Sequence, residues 1–323
     1  VSAELDREAW AASRRLGLGG TDVAAILGES PWKSPMMVWL EKHGQAVDAP
    51  ETTRLKRGLQ LEQLIADEWA EREAVRVERA PHIRHPEREW ACGSPDFIVR
   101  EGAHLVGVLE TKTAEVWHAK KFGRDGTEAG DGTIPAHYAI QLQWYLWLTG
   151  AQMGWFAVMV GLSEPVRSLP MPRDDAFIAT LVEVAGAWWQ RHIIGGEMPE
   201  PDGTESSTRA VKAMHPLATN DEPVALPADA AALVETYQTA SAAAKEHEKR
   251  ADEAKQRLCL LLGNHSRGIV GGKRVTWSNV AGREGFDVEA LRAAYPHVFE
   301  QFRREGKPYR RFSIANHKGG PQS

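Results

Sequence analysis

Cysteine is nearly absent from this 323-residue chain, which carries only Cys92 and Cys259. Two thiols cannot build a disulfide framework or a thiolate zinc site, so a reducing compartment is expected. No stretch approaches the roughly 20 consecutive apolar residues that cross a bilayer. The opening "VSAELDREAWAASRRLGLGG" lacks the apolar core of a secretory leader, and a cytoplasmic protein is expected. Positive charge is not in excess either. Against 39 Lys and Arg stand 44 Asp and Glu, a formal net charge of −5. Any grip on nucleic acid must then come from a local basic surface rather than from overall charge. No internal repeat is visible. What remains is an ordinary globular composition, 42% hydrophobic and 26% charged, with length for one large domain or two smaller ones. The 12 tryptophans read mostly as core or interface.

A boundary is expected after about Pro199, where "GGEMPEPDGTESS" is rich in Gly, Pro, Ser and acid. Residues 201–225 read as linker or loop. Residues 226–323 follow as an extension. It opens with a long Ala-, Glu- and Lys-rich helix that ends at Gly263. The thin apolar stripe of that helix suggests packing on a partner helix or another subunit. "GIVGGKRVTWSNV" reads as a hairpin, "DVEALRAAYPHVFEQF" as a helix or helix pair, and "YRRFSI" as a last strand.

The first 200 residues mix helices and strands. A helix is expected from Thr21 to Leu27 with Thr21 or Asp22 as its cap. Others are expected over "SPMMVWLEKHG", "RLKRGLQLEQLIADEWAERE", "IPAHYAIQLQWYLWLTG" and "DAFIATLVEVAGAWWQRHIIGG". "WACGSPDFIVREGAHLVGVLETKTA" reads as a strand–turn–strand and "MGWFAVMVG" as a buried strand. The sum is an α/β (α+β) arrangement of helices around a small mixed sheet.

One segment, "GVLETKTA", carries an acid and an amine inside an otherwise apolar strand. Side chains alternate along a strand, so Glu110 and Lys112 share a face. Burying both requires compensation. An antiparallel hairpin brings Asp96, after "GSP", to the same place. Glu62 lies on the preceding helix, and Gln141 and Tyr145 lie four apart on the following one. Converging carboxylates beside a lysine suit a hard divalent cation and phosphodiester hydrolysis. Lys112 could orient or deprotonate water and stabilise developing charge. Taken alone, Glu-x-Lys in a strand reads more readily as an exposed cross-strand ion pair at a sheet edge; the Asp96 spacing brings the two readings level. Of the 12 histidines, His43, His82, His85, His118 and His137 are scattered without ligand spacing.

Four stretches, in order across about residues 10 to 160, resemble the PD-(D/E)XK nuclease superfamily, and within it the YqaJ-like viral recombinases and lambda-type phage exonucleases. They are "RRLGLGGTDVAAILGESPWKSPMMVWLEKHG", "RGLQLEQLIADEW", "CGSPDFIV…GVLETKTA" and "IPAHYAIQLQWYLWLTG". The first matches an arginine before G-G-S/T-D, then S-P-aromatic and W-x-x-K-x-G. The resemblance implies a restriction-endonuclease-like core over residues 1–200. It implies Mg²⁺-dependent digestion of linear double-stranded DNA, 5′→3′, leaving 3′ overhangs, with Mn²⁺ as a substitute ion. By the same resemblance Asp96, Glu110, the Thr111 carbonyl and Glu62 hold metal. Glu62, Asp96, Glu110, Lys112 and Gln141 form the catalytic set. Arg14 or Arg15, with Thr21 and Ser94, would hold the 5′-phosphate; threonine stands where serine is commoner. Trp32, Lys120, Lys121 and Arg124 are candidate DNA contacts.

The resemblance also implies a single-strand annealing protein as partner, a ring trimer, and a phage or prophage origin in a bacterial cytoplasm. The extension would serve oligomerisation, partner docking or DNA contact through Arg303, Arg304, Lys307, Arg310 and Arg311. Two alternatives stay open. One is a PD-(D/E)XK endonuclease or single-strand nuclease of other polarity. The other is a non-catalytic DNA-end binder.

Overall fold

The computed structural model describes residues 15–45, 53–115, 122, 134–162 and 164–315, the side chains of residues 54 and 55 apart. At its centre lies a five-stranded sheet. Strands β1 (Arg76–Arg79), β4 (Phe97–Glu101), β5 (His104–Ala114), β6 (Met153–Val160) and β7 (Arg167–Pro172) are ordered β1-β4-β5-β6-β7. All neighbours are antiparallel except β5 and β6, which run parallel. That parallel step needs a crossover, and the helix Ala136–Thr149 lies in it. The mixed α/β fold expected from the sequence is present.

Alternation along β5 divides the core between two faces. Val108 and Ala114 enter a cluster with Ile98, Leu142 and Trp144, beneath the helices α1 (Gly20–Ile26), α4 (Ala136–Thr149) and α5 (Asp175–Trp188). Leu109 enters the opposite cluster with Phe97, Ile65 and Trp69, beneath α3 (Thr53–Glu73). Glu110 and Lys112 have the parity of Val108, so they face α4. α2 (Pro35–Lys42) is opened by Ser34, whose hydroxyl accepts from the Met37 amide at 3.2 Å. A two-stranded pair, β2 (Ile83–Arg84) with β3 (Cys92–Gly93), completes this part.

Several expectations shift. The cap of α1 is Gly19, and Asp22 is its third helical residue, reaching back to accept from the Gly19 amide at 3.1 Å. Two edge strands were not legible: β1 is short and mostly charged, and β7 contains Pro170 and Pro172, a composition tolerated only at an edge. α5 continues as a π-helix over Trp189–Ile194. Within the expected linker, Glu205–Met214 forms helix α6 and buries Ala210 with Met36, Met37 and Leu40. The chain accordingly divides into two compact units after His215, later than the Pro199 boundary, because α6 packs on α2.

The second unit, Pro216–Ser323, contains α7 (Ala230–Leu262), the hairpin β8 (Arg267–Val270) and β9 (Lys273–Thr276), and the helix pair α8 (Val288–Ala294) and α9 (Pro296–Phe302). The 33-residue α7 stops at Gly263 as expected. "YRRFSI" is not a strand: β8 and β9 pair only with each other, and residues 309–314 lie beside no ladder. Among the described residues no helix is long and apolar enough to cross a membrane.

Candidate active site

The site is built on the β4–β5 hairpin. Phe97 pairs with Leu109, which places Asp96 across from Glu110. Three hydrogen bonds tie the two strands here. The Thr111 amide and hydroxyl donate to Asp96 Oδ2 at 2.8 and 2.9 Å, and the Asp96 amide donates to Glu110 Oε1 at 3.2 Å. Glu110 is fully buried. Its other oxygen, Oε2, accepts from Lys112 Nζ at 2.8 Å and from Gln141 Nε2 at 3.1 Å. Gln141 Nε2 also reaches the Tyr145 hydroxyl at 3.2 Å, as their shared helix face allows.

Helix α4 is seated by small residues on β3. Trp144 Nε1 donates to the Cys92 carbonyl at 2.9 Å. A Cβ on Gly93 would come within 2.7 Å of the Tyr145 ring. Glycine in "CGSPD" therefore lets the Gln141–Tyr145 face close on the carboxylates.

Desolvation dominates the electrostatics. Burial, and then the neighbouring Asp96 charge, pushes the Glu110 carboxyl up to about 7. Burial acts to lower Lys112, but attraction to Glu110 and Asp96 outweighs it, raises its pKa and keeps the ammonium charged. Burial, followed by Glu110, also raises Tyr145. This resolves the problem posed by an acid and an amine in one strand: each is the partner that makes the other's burial tolerable.

Glu62 lies on α3, the helix expected to carry it. It is near enough for Asp96 to act on it, and burial chiefly raises its pKa. Its carboxylate is nevertheless held by Arg79 Nη1 at 2.6 Å, and that guanidinium lies over the Phe97 ring at 4.6 Å. The structure thus brings Asp96, Glu110, Lys112, Gln141 and Tyr145 together, with Glu62 at the margin.

The donor chemistry suits a hard cation. Two carboxylates face one another, one of them raised by burial and then by the other's charge, and both offer oxygen donors. Among the described residues no group of three or more His, Cys, Asp and Glu is arranged to hold a metal. An ion here would rest on Asp96 and Glu110, with water completing its shell, the habit of Mg²⁺.

Of the residues expected around a DNA end, Arg15, Thr21, Ser94 and Trp32 are described, and they lie wholly or partly at the surface. Arg15 is exposed, and its Nη1 would stand 3.5 Å from a Cβ on Gly44. Thr21 is exposed in the first turn of α1. Ser94 Oγ is bonded to His82 Nδ1 at 3.0 Å. Arg14, Lys120, Lys121 and Arg124 lie outside the described residues. Trp32 is 61% exposed, not core, and meets the His137 ring edge-on at 4.9 Å. His137 contacts Tyr138 at 4.2 Å, and Lys112 Nζ lies 5.1 Å from the Tyr138 ring centre. Burial, then Lys112, lowers the His137 pKa. An aromatic path therefore leads from the exposed Trp32 to Lys112.

Sequence reasoning missed Tyr138 and Arg79, neither of which has a motif. It also missed the partner of Asp22. That signal was present: Asp22 of "GGTD" pairs with Lys42, the lysine of W-x-x-K-x-G, at 2.7 Å.

Residues 9–152 match the family model of the YqaJ-like viral recombinase domain. The YqaJ protein of Bacillus subtilis (strain 168) is 28% identical over 318 residues, spanning 97% of this chain and 95% of its own. Among solved structures, the alkaline exonuclease LHK-Exo from Laribacter hongkongensis is 19% identical, with a TM-score of 0.47 over 64% of this chain and 100% of that one. A phage-related exonuclease from Haemophilus somnus is 14% identical, with a TM-score of 0.44 over 56% of this chain and 97% of that one.

Proposed function

We propose, from the match of residues 9–152 to the YqaJ-like viral recombinase domain, that this chain is a metal-dependent DNA exonuclease. It digests linear duplex DNA 5′→3′ and leaves 3′ single strands for a single-strand annealing partner in phage-type recombination. The observation that carries the reading is the lock of Asp96, Glu110, Lys112 and Gln141 around one buried carboxylate.

Asp96 and Glu110 would hold Mg²⁺, with the Thr111 carbonyl as a third donor and Glu62 as an outlying acid. The ion supplies Lewis-acid polarisation of the phosphate and a bound water of lowered pKa. Lys112, kept charged by its carboxylate neighbours, faces the negative charge that builds on the phosphate during attack. Gln141 commits its amide nitrogen to Glu110, which leaves its carbonyl oxygen to accept from the attacking water. The buried walls of the site exclude bulk water and strengthen each of these interactions.

Arg15 (or Arg14), Thr21 and Ser94 would receive the 5′-phosphate, giving the enzyme its direction. Trp32 would stack on a base at the rim, with Lys120, Lys121 and Arg124 contacting phosphates nearby. Residues 1–200 form the nuclease domain in this reading. The extension 226–323 serves subunit contact or DNA binding through Arg303, Arg304, Lys307, Arg310 and Arg311. A ring trimer working in the bacterial cytoplasm would let a chain of net charge −5 stay on DNA by topology.

The test is a time course on linear duplex DNA with Mg²⁺, comparing 5′-phosphate with 5′-hydroxyl ends and wild type with Lys112→Ala. Mononucleotide release that needs Mg²⁺ and Lys112 and is faster from 5′-phosphate is expected. Cleavage indifferent to the end would favour the endonuclease or other-polarity alternative. Tight end binding without cleavage would favour the non-catalytic end binder.

A further inference from the structure

The most heavily buried charge in the first unit outside the carboxylate site is Asp22, which has no accessible surface. Lys42 Nζ meets its Oδ2 at 2.7 Å, and Lys33 Nζ meets its Oδ1 at 3.1 Å. Lys33 bridges onward to Glu41 at 2.7 Å. The side chain of Lys42 is itself only 2% exposed. Two acids and two ammonium groups thus meet in one network between α1 and α2. Such a network is a weak source of net stability, because desolvating the ions opposes their attraction. Its geometry suggests what it holds.

Asp22 Oδ2 also accepts from the Gly19 amide, fixing the turn that opens α1. On its other side the same turn is tied to β3: Leu18 pairs with Ala91, and the Cys92 amide donates to the Leu18 carbonyl at 3.0 Å. Next in sequence, Gly20 lies flat against α4. A Cβ there would stand 2.9 Å from Gln141 Cα, 3.0 Å from its carbonyl oxygen and 3.1 Å from its Cγ. Two of those three atoms are backbone and cannot swing away. The turn clamped by Asp22 is therefore the surface on which Gln141 rests, and Gln141 is the side chain bonded to Glu110.

Building on the nuclease reading, we propose that Asp22 and Lys42 are positioning residues for Gln141. Their buried pair holds the Gly19–Gly20 turn against α4 and so sets the Gln141 amide on Glu110. This would account for G-G-T-D and W-x-x-K occurring together in one stretch of the chain. Gly20 supplies the close approach, Asp22 the anchor, and Lys42 the counter-charge on a second helix.

The experiment uses the full chain and the double variant Asp22→Asn/Lys42→Met, which removes both charges and avoids leaving one ion buried alone. Hydrogen–deuterium exchange at residues 139–145 is read first, because it needs no DNA cleavage. Faster exchange there, with thermal stability close to wild type, is expected. In the hydrolysis assay kcat should fall about 10- to 100-fold, as for a misplaced water-orienting group, while KM changes little. Lys42→Arg, which keeps the cation, should recover part of kcat relative to Lys42→Met. Gly20→Ala attacks the same contact from the opposite side with the ions intact. It should reproduce the kcat defect, and it serves if the double variant does not fold. Unchanged exchange and unchanged kcat in a folded double variant, or in Gly20→Ala, would overturn the proposal. If the wild type cleaves no DNA, the nuclease reading fails separately, and the exchange result alone decides whether the turn positions Gln141.

Discussion

The unit Val1–His215 buries Trp69, Trp144, Phe97 and Phe156 almost completely, whereas in Pro216–Ser323 Leu262 is the one buried apolar side chain among the described residues. In the second unit Leu261 is 84% exposed and Phe286 88%. The polar contacts differ in the same way. Glu110 and Asp22 sit in ion pairs out of water, while the α7 pairs, such as Arg250–Glu246 and Arg257–Glu253, are largely solvated. Pairs of that second kind contribute about 0.3–0.5 kcal/mol each. A pKa near 7 on Glu110 requires the first environment and could not arise in the second. The contrast is the ground for proposing that the chemistry lies in the first unit, and it leaves the second as a surface that gains most when something covers it.

The largest expected difference between the units is catalytic. Lys112→Ala should lower hydrolysis by about 10³-fold, while Arg310→Ala in the second unit should change binding more than kcat; steady-state kinetics on labelled duplex separates the two. Next comes stability. Leu109→Ala should cost about 2–5 kcal/mol in urea unfolding, whereas Leu261→Ala, already exposed, should stay within about 0.5 kcal/mol. Equal losses would erase the contrast.

A smaller effect concerns pH. Because Glu110 is raised in the fold, its stabilising contribution is full below its ordinary value of 4.5 and fades as pH rises through about 7. A divalent cation competes with that proton, so Mg²⁺ should raise the melting temperature more at about pH 8 than at about pH 6. A shift equal at both would place the ion elsewhere. The smallest effect is expected from truncation. A fragment ending at residue 215 should melt within a few degrees of the first-unit transition in the full chain, followed by circular dichroism.

The sequence disclosed unevenly. The β4–β5 hairpin, α4 and α7 were legible because period and punctuation agreed: an alternating face around Glu110, glycine at 150, glycine at 263. β1 and β7 were not, since an edge strand needs little apolar pattern and β7 even carries prolines. α6 was hidden in a segment whose Gly, Pro and Ser content reads as linker. Its partner Met36 lies some 170 positions earlier, and no local pattern reports that contact. At the site, Asp96, Glu110, Lys112 and Gln141 came together because spacing in a hairpin and on a helix fixes them. Glu62 was legible as an acid but not as the partner of Arg79, which approaches from β1. Asp22 looked like a helix cap. That it also meets Lys42, 20 residues on, depends on how two helices cross.

The central claim is that one buried carboxylate cluster in the first unit hydrolyses DNA with a divalent ion. It is tested most directly by nucleotide release from linear duplex across a Mg²⁺ titration, wild type beside Glu110→Gln. The account predicts release that rises with Mg²⁺ in the wild type and is lost in the variant, although both remain folded. Release that persists in Glu110→Gln at the same Mg²⁺ dependence would contradict it.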